Sequence, residues 1–180
     1  MSPTVFNPLI LAALISSLGG CGLAQTVTHS TASTTQSIFY KQVSSLHLDI
    51  SARTALNTDT HDMSALSVPT LVRVYQLRDG KALERATYDG LLSNDDQLLG
   101  SALLDKRAVV VKPAQGAQLD VPLHKDTNVV ALVALVRSPD TRLDTWRLTL
   151  TRNDLDPDRA RVIELGDTRL TLQPLRRDEP

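Results

Sequence analysis

Cys21 is the only thiol in the 180-residue chain, and it stands at the end of an apolar run over residues 8–18 that closes with Gly19 and Gly20. A thiolate at the end of a membrane-seeking segment suits covalent transfer of a lipid, and two glycines before it leave the backbone open to a peptidase. The other groups able to do chemistry are dispersed. His47, His61 and His124 fall on different stretches of the chain, and each reads as a surface residue. Asn57, Asp59 and His61 alternate as the start of a calcium loop does, but Asp62 stands where the sharp turn needs Gly and Val68 where a bidentate Glu is needed. Asp154, Asp156 and Asp158 begin the same pattern and fail likewise, so they read as a polar turn. The sequence contains no G-x-S-x-G, no H-E-x-x-H and no phosphate-binding glycine loop. These residues give no catalytic constellation, no metal site and no cofactor site, so the chain is not expected to be an enzyme.

The elements around these residues begin with the apolar run. It is too short for the ~20 residues a membrane-spanning helix needs and fits the apolar region of an export signal. Leu18-Gly19-Gly20-Cys21 resembles the lipobox of bacterial lipoproteins. That resemblance implies a signal peptide over 1–20, cleavage before Cys21, and a diacylglycerol and palmitate on its sulfur and new amino terminus. The segment lacks the Lys or Arg that such signals carry at their start. Residues 22–37 are rich in Thr, Ser, Gln and Ala without apolar periodicity, as a flexible tether is, and at that length they reach roughly 20–24 Å.

Net charge is −1, from 19 basic and 20 acidic residues spread along the chain, which leaves no electrostatic footprint for nucleic acid. With Cys21 assigned to lipid, nothing remains for a disulfide, so residues 38–175 must fold on their core alone, ahead of a solvated tail over 176–180.

Within that domain Leu46, Leu48 and Ile50 alternate with His47, Asp49 and Ser51, which predicts a strand with one buried face. Residues 52–68 lose periodicity and form a long polar loop. Residues 71–77 and 129–136 are apolar on both faces, as interior strands are. Between them the spacing of Leu83, Thr87 and Leu91 predicts short helical turns; Ser93 or Asn94 caps the next one, Asp95 and Asp96 sit at its positive end and Gly100 closes it. Residues 108–112 form a valine-rich strand, Pro122 marks an edge strand, and Trp146 shares a face with Leu148 and Leu150 in a strand of its own. Short strands over 162–165 and 170–172 follow, giving about eight strands and a mainly β sandwich with a small helical insert.

Several of these pieces together resemble the TssJ family of type VI secretion lipoproteins. They are the lipobox at Cys21, Leu56-Asn57 and Asp59 before a proline-containing approach to Val72-Arg73-Val74-Tyr75-Gln76-Leu77, Leu99-Gly100 after the insert, and the 129–137 strand followed by Trp146-Arg147. Thr58 stands where the family often has Pro, and Leu83 where it usually has an aromatic residue. The resemblance implies a transthyretin-like β-sandwich anchored in the outer membrane and facing the periplasm. It implies a structural role in the secretion membrane complex, by binding the periplasmic C-terminal domain of TssM through the loop between the first two strands. On this chain that loop offers Asn57, Thr58, Asp59, His61 and Asp62 for hydrogen bonds and Met63 for apolar contact. The alternative is a periplasmic ligand-binding or enzyme-inhibitor lipoprotein on the same scaffold, and the 3% aromatic content argues against sugar stacking. No small-molecule substrate is expected.

Overall fold

A computed structural model describes residues 43–58 and 66–175. Cys21, Asp59, His61, Asp62, Met63, the expected signal peptide, the tether and the tail lie outside the described residues. The buried core residues described run from Leu46 to Leu170, so the compact unit over 42–180 carries its own core.

Eight strands form two four-stranded sheets. β1 (Ser45–Ala52), β4 (Gly116–Pro122), β7 (Arg161–Leu165) and β8 (Leu170–Leu172) order as β4-β1-β7-β8, with β1 and β7 parallel. β2 (Thr70–Leu77), β3 (Leu103–Val111), β5 (Val129–Leu135) and β6 (Arg147–Thr151) order as β3-β2-β5-β6, antiparallel throughout. The alternation read in β1 is the observed one: Leu46, Leu48 and Ile50 are buried and face the second sheet, while His47 points outward with Nδ1 2.5 Å from Oδ1 of Asp120 on β4. Pro122 closes β4, an outer strand, where a missing N–H costs no ladder bond. β2 and β5 are interior strands, which accounts for apolar residues on both of their faces.

One face of β2 and β5 looks into the sandwich; the other is partly covered by the insert. The insert consists of α1 (Lys81–Glu84) and α2 (Tyr88–Leu99), followed by a 3-10 turn over Gly100–Ala102. Thr87, expected on the face of a first helix, is instead the N-cap of α2: its hydroxyl accepts from the amide of Gly90 at 3.2 Å, which is what a short polar side chain does best at a helix start. Asn94 interrupts α2 with φ −152° and ψ 50°, so the two helical pieces expected from the Asn94 capping signal do meet there. Gly100 closes the run in the left-handed region at φ 50°.

Asp95 differs most from expectation. Its Oδ1 does accept from the amide of Asp96 at 3.0 Å, but the side chain is buried beneath α2, where Oδ2 accepts from the Tyr75 hydroxyl at 2.8 Å and from Arg73 at 3.1 Å, and Lys106 lies at 3.3 Å. This cluster pins the insert to β2 and β3. Arg147 holds the other end by donating to the carbonyls of Leu83 and Ala86 and pairing with Asp144 at 2.5 Å. Its guanidinium lies 5.1 Å from the centre of the buried Trp146 ring, which meets Tyr88 edge-on, also at 5.1 Å. Trp146 is thus core, as its neighbours Leu148 and Leu150 imply, and its ring also seats the start of α2.

Candidate functional site

β1 runs from one end of the sandwich to the other, and the two ends are built differently. At the end where the chain enters, Arg152 donates to four backbone carbonyls, those of Val43, His124, Lys125 and Thr127, at 2.8 to 3.1 Å. A planar five-donor guanidinium is suited to gathering several acceptors at once. Behind it the buried Gln76 side chain donates to the carbonyl of Pro122 and accepts from the amide of His124 and the hydroxyl of Thr127. Thr151 and Asp154 form a reciprocal cap next to it, and Asp156 accepts from the amides of Asp158 and Arg159; the three alternating aspartates of the sequence are turn formers here.

At the opposite end lies the long loop between β1 and β2, and its base is fixed at both sides. Leu56 is fully buried as a plug, and its carbonyl accepts from the amide of Val68 at 3.1 Å, so the outgoing and returning arms are tied together. Asn57 follows in the left-handed region at φ 51°, a conformation Asn tolerates better than most residues. Only 4% of Asn57 is exposed; its amide donates to the carbonyl of Asp167 at 2.9 Å, and its Oδ1 accepts from the amide of Arg137 at 2.7 Å. Thr58 donates from both amide and hydroxyl to the Asp167 carboxylate, at 2.7 and 2.9 Å. The β1–β2 loop is therefore clasped to the β5–β6 loop through Arg137 and to the β7–β8 turn through Asp167.

Asn57 and Thr58, read from sequence as contact residues of the loop, thus have their polar atoms engaged in mounting it. Only their type was legible: an Asn before a polar stretch signals a left-handed turn, but its partners are 80 and 109 residues away. Past the mount the loop returns through Leu66, 63% exposed, and the neighbouring β5–β6 loop carries Leu143, 68% exposed. The cleft at this end, about 500 Å³, is lined by Arg53, Glu164, Asp167 and Arg169 among others; Arg53 pairs with Glu164 at 2.5 Å and Asp167 is held by Thr58. Among the described residues no three His, Cys, Asp or Glu side chains converge to hold a metal ion.

Asp95 of the insert and Tyr75 of β2, bonded to each other, both have displaced titrations. Burial pushes Asp95 up, but the Tyr75 hydrogen bond and the charges of Arg73 and Lys106 outweigh it and hold the carboxyl below its ordinary range. Burial and the bond to Asp95 push the Tyr75 hydroxyl well up, so it remains a proton donor.

The described residues form a two-sheet β-sandwich that holds the base of a long loop at Leu56, Asn57 and Thr58, with Leu66 and Leu143 exposed nearby. The T6SS-SciN family of type VI secretion lipoproteins, described as VasD, EvfM and TssJ, matches residues 44–168. The chain belongs to this family. Its fold is similar to a chain of the structure named for a type VI membrane complex, with 34% identity over 74% of this chain and 100% of that one and a TM-score of 0.70. It is similar in the same way to a chain of the structure named for the C-terminal domain of the T6SS protein TssM from EAEC, with 32% identity, the same coverage of both chains and a TM-score of 0.67. The Serratia marcescens Lip structure, a membrane-bound component of the type VI secretion system, shares the fold at 23% identity over 74% of this chain and 100% of that one, with a TM-score of 0.64. No curated protein sequence matches the chain.

Proposed function

We propose that this type VI secretion lipoprotein is anchored to the outer membrane through a lipid on Cys21, faces the periplasm, and binds the periplasmic C-terminal domain of TssM through its β1–β2 loop. The observation that carries the reading is the mount of that loop. A loop held at its base by Leu56, Asn57 and Thr58 presents its tip at low ordering cost, which favours binding over mere connection. The comparison chains add the partner: both sequence-similar structures are named for the membrane complex or for TssM itself.

The polarity of β1 fits this arrangement. The tether enters beside Ser45 and the loop leaves after Ala52, so eight residues at about 3.3 Å each separate anchor from loop by roughly 25 Å.

The test is calorimetric titration of residues 22–180 into the C-terminal domain of the cognate TssM, with a variant in which 59–65 is replaced by a Gly-Ser linker of equal length. Saturable binding lost in the variant is the expected result, because the replacement leaves Leu56, Asn57 and Thr58, which hold the base of the loop, unchanged. A folded variant that binds as tightly as the unaltered chain refutes the loop reading.

A further inference from the structure

The insert covers only part of the outer face of the β3-β2-β5-β6 sheet. On that face β2 carries Leu71, Arg73, Tyr75 and Leu77 in alternation. Arg73 and Tyr75 lie under Asp95 of α2, and Tyr75 and Leu77 are fully buried. Toward the start of β2 the cover ends. Strand register there sets Val110 of β3, Leu71 of β2 and Leu135 of β5 side by side in one row across three strands. Val110 is 57% exposed on the outer strand, Leu71 and Leu135 are half-buried, and Ala108, two residues along β3 on the same face, is exposed. The chain enters this corner from the β1–β2 loop through the exposed Leu66 and Pro69. A lone exposed Val or Leu is ordinary, but an aligned aliphatic row reached within five residues of an exposed loop leucine gains by losing water.

We infer that the row of Val110, Leu71 and Leu135 is the apolar floor of the same interface, covered by the TssM C-terminal domain when the loop is engaged. The inference rests on the loop reading and adds to it a sheet-borne patch that needs no ordering on binding. Continuity carries it: a partner seated on the returning arm of the loop at Leu66 is within a few residues of Leu71, and Leu71 is in register with the other two. The domain that covers the row must present apolar side chains to it, as the centre of a stable interface does.

Val110→Asp places a charge in the row without touching the core. In the calorimetric titration it is expected to weaken binding to the TssM C-terminal domain at least tenfold. Val162→Asp, at an exposed position on β7 in the other sheet, is expected to leave binding unchanged. Residues 22–180 contain no cysteine, so Val110→Cys carrying an environment-sensitive fluorophore gives a second readout on a chain with native stability, and its emission is expected to shift to the blue when TssM is added. Unaltered affinity in Val110→Asp, or no spectral shift at position 110 on saturation, overturns the inference while the linker variant still decides the loop reading separately. Normal binding by the linker variant overturns the loop reading instead.

Discussion

Replacing Asn57 tests whether the loop mount is structural, and two variants separate its two contributions. Asn57→Gly keeps a residue at ease with φ 51° but deletes the acceptor for the Arg137 amide. An amide left without its partner in a half-buried site costs about 1–3 kcal/mol, and the added freedom of glycine in the unfolded chain costs about 0.5–1 kcal/mol more. Asn57→Ala deletes the same acceptor and also places a Cβ-bearing residue without a local hydrogen bond in the left-handed region, at about 1–2 kcal/mol. The expected losses are thus ~2–3 kcal/mol for Gly and ~3–4 kcal/mol for Ala, with Ala the worse by roughly 0.5–1 kcal/mol. In a domain of this size the alanine variant should melt about 10 °C lower. Guanidinium unfolding at neutral pH, followed by the fluorescence of Trp146, reads both values in one series. The reasoning fails if both variants lie within about 0.5 kcal/mol of the unaltered chain, since the mount would then be incidental. It fails more narrowly if Ala is no worse than Gly, because the backbone at residue 57 would then not be held left-handed.

Other sites give further expected outcomes. Because Asp95 is held below its ordinary range in the folded state, its contribution is complete above about pH 4 and is lost as pH falls through the depressed folded value. Asp95→Asn should therefore lower stability at neutral pH and flatten the acid limb of the stability curve below pH ~4; an acid limb identical to that of the unaltered chain counts against the charge balance described for the insert. Arg152→Ala removes a donor from four carbonyls at once and should cost ~2–4 kcal/mol in chemical unfolding. Arg152→Lys should recover little of this, since one ammonium cannot reach four acceptors spread over two segments; recovery to the level of the unaltered chain would show that charge alone is required.

The strands were legible because their signal is local. Alternation in β1, apolar runs in β2 and β5 and the proline ending β4 each state a burial pattern that the sheets then realise. The first half of β3 was not legible: Asp105, Lys106 and Arg107 break the valine pattern because this outer strand turns them toward solvent and the insert. The roles of Asp95 and Asn57 were hidden for another reason. Asp95 next to a helical stretch is the composition of a favourable helix start, and Asn57 in a polar stretch is the composition of a loop tip, so local chemistry gave a sufficient account of each. Their actual partners, Tyr75 and Lys106 on strands for one and Arg137 in the β5–β6 loop for the other, are brought near by strand pairing that no local pattern encodes.

Two polar clusters with the same logic bracket the sandwich. Arg152 gathers carbonyls at the end where β1 begins, and Asn57 with Asp167 joins three loops where the β1–β2 loop leaves. The donors and acceptors of both clusters are engaged within the fold itself. Such an expenditure at both ends of a small two-sheet frame stiffens the path from the entering chain to the loop. Of the large apolar side chains left exposed, Leu66, Leu143 and Val110 sit on elements joined to the mount or in register with the strand that leaves it, while Leu92 lies on α2, Val162 on β7 and Leu175 beyond β8.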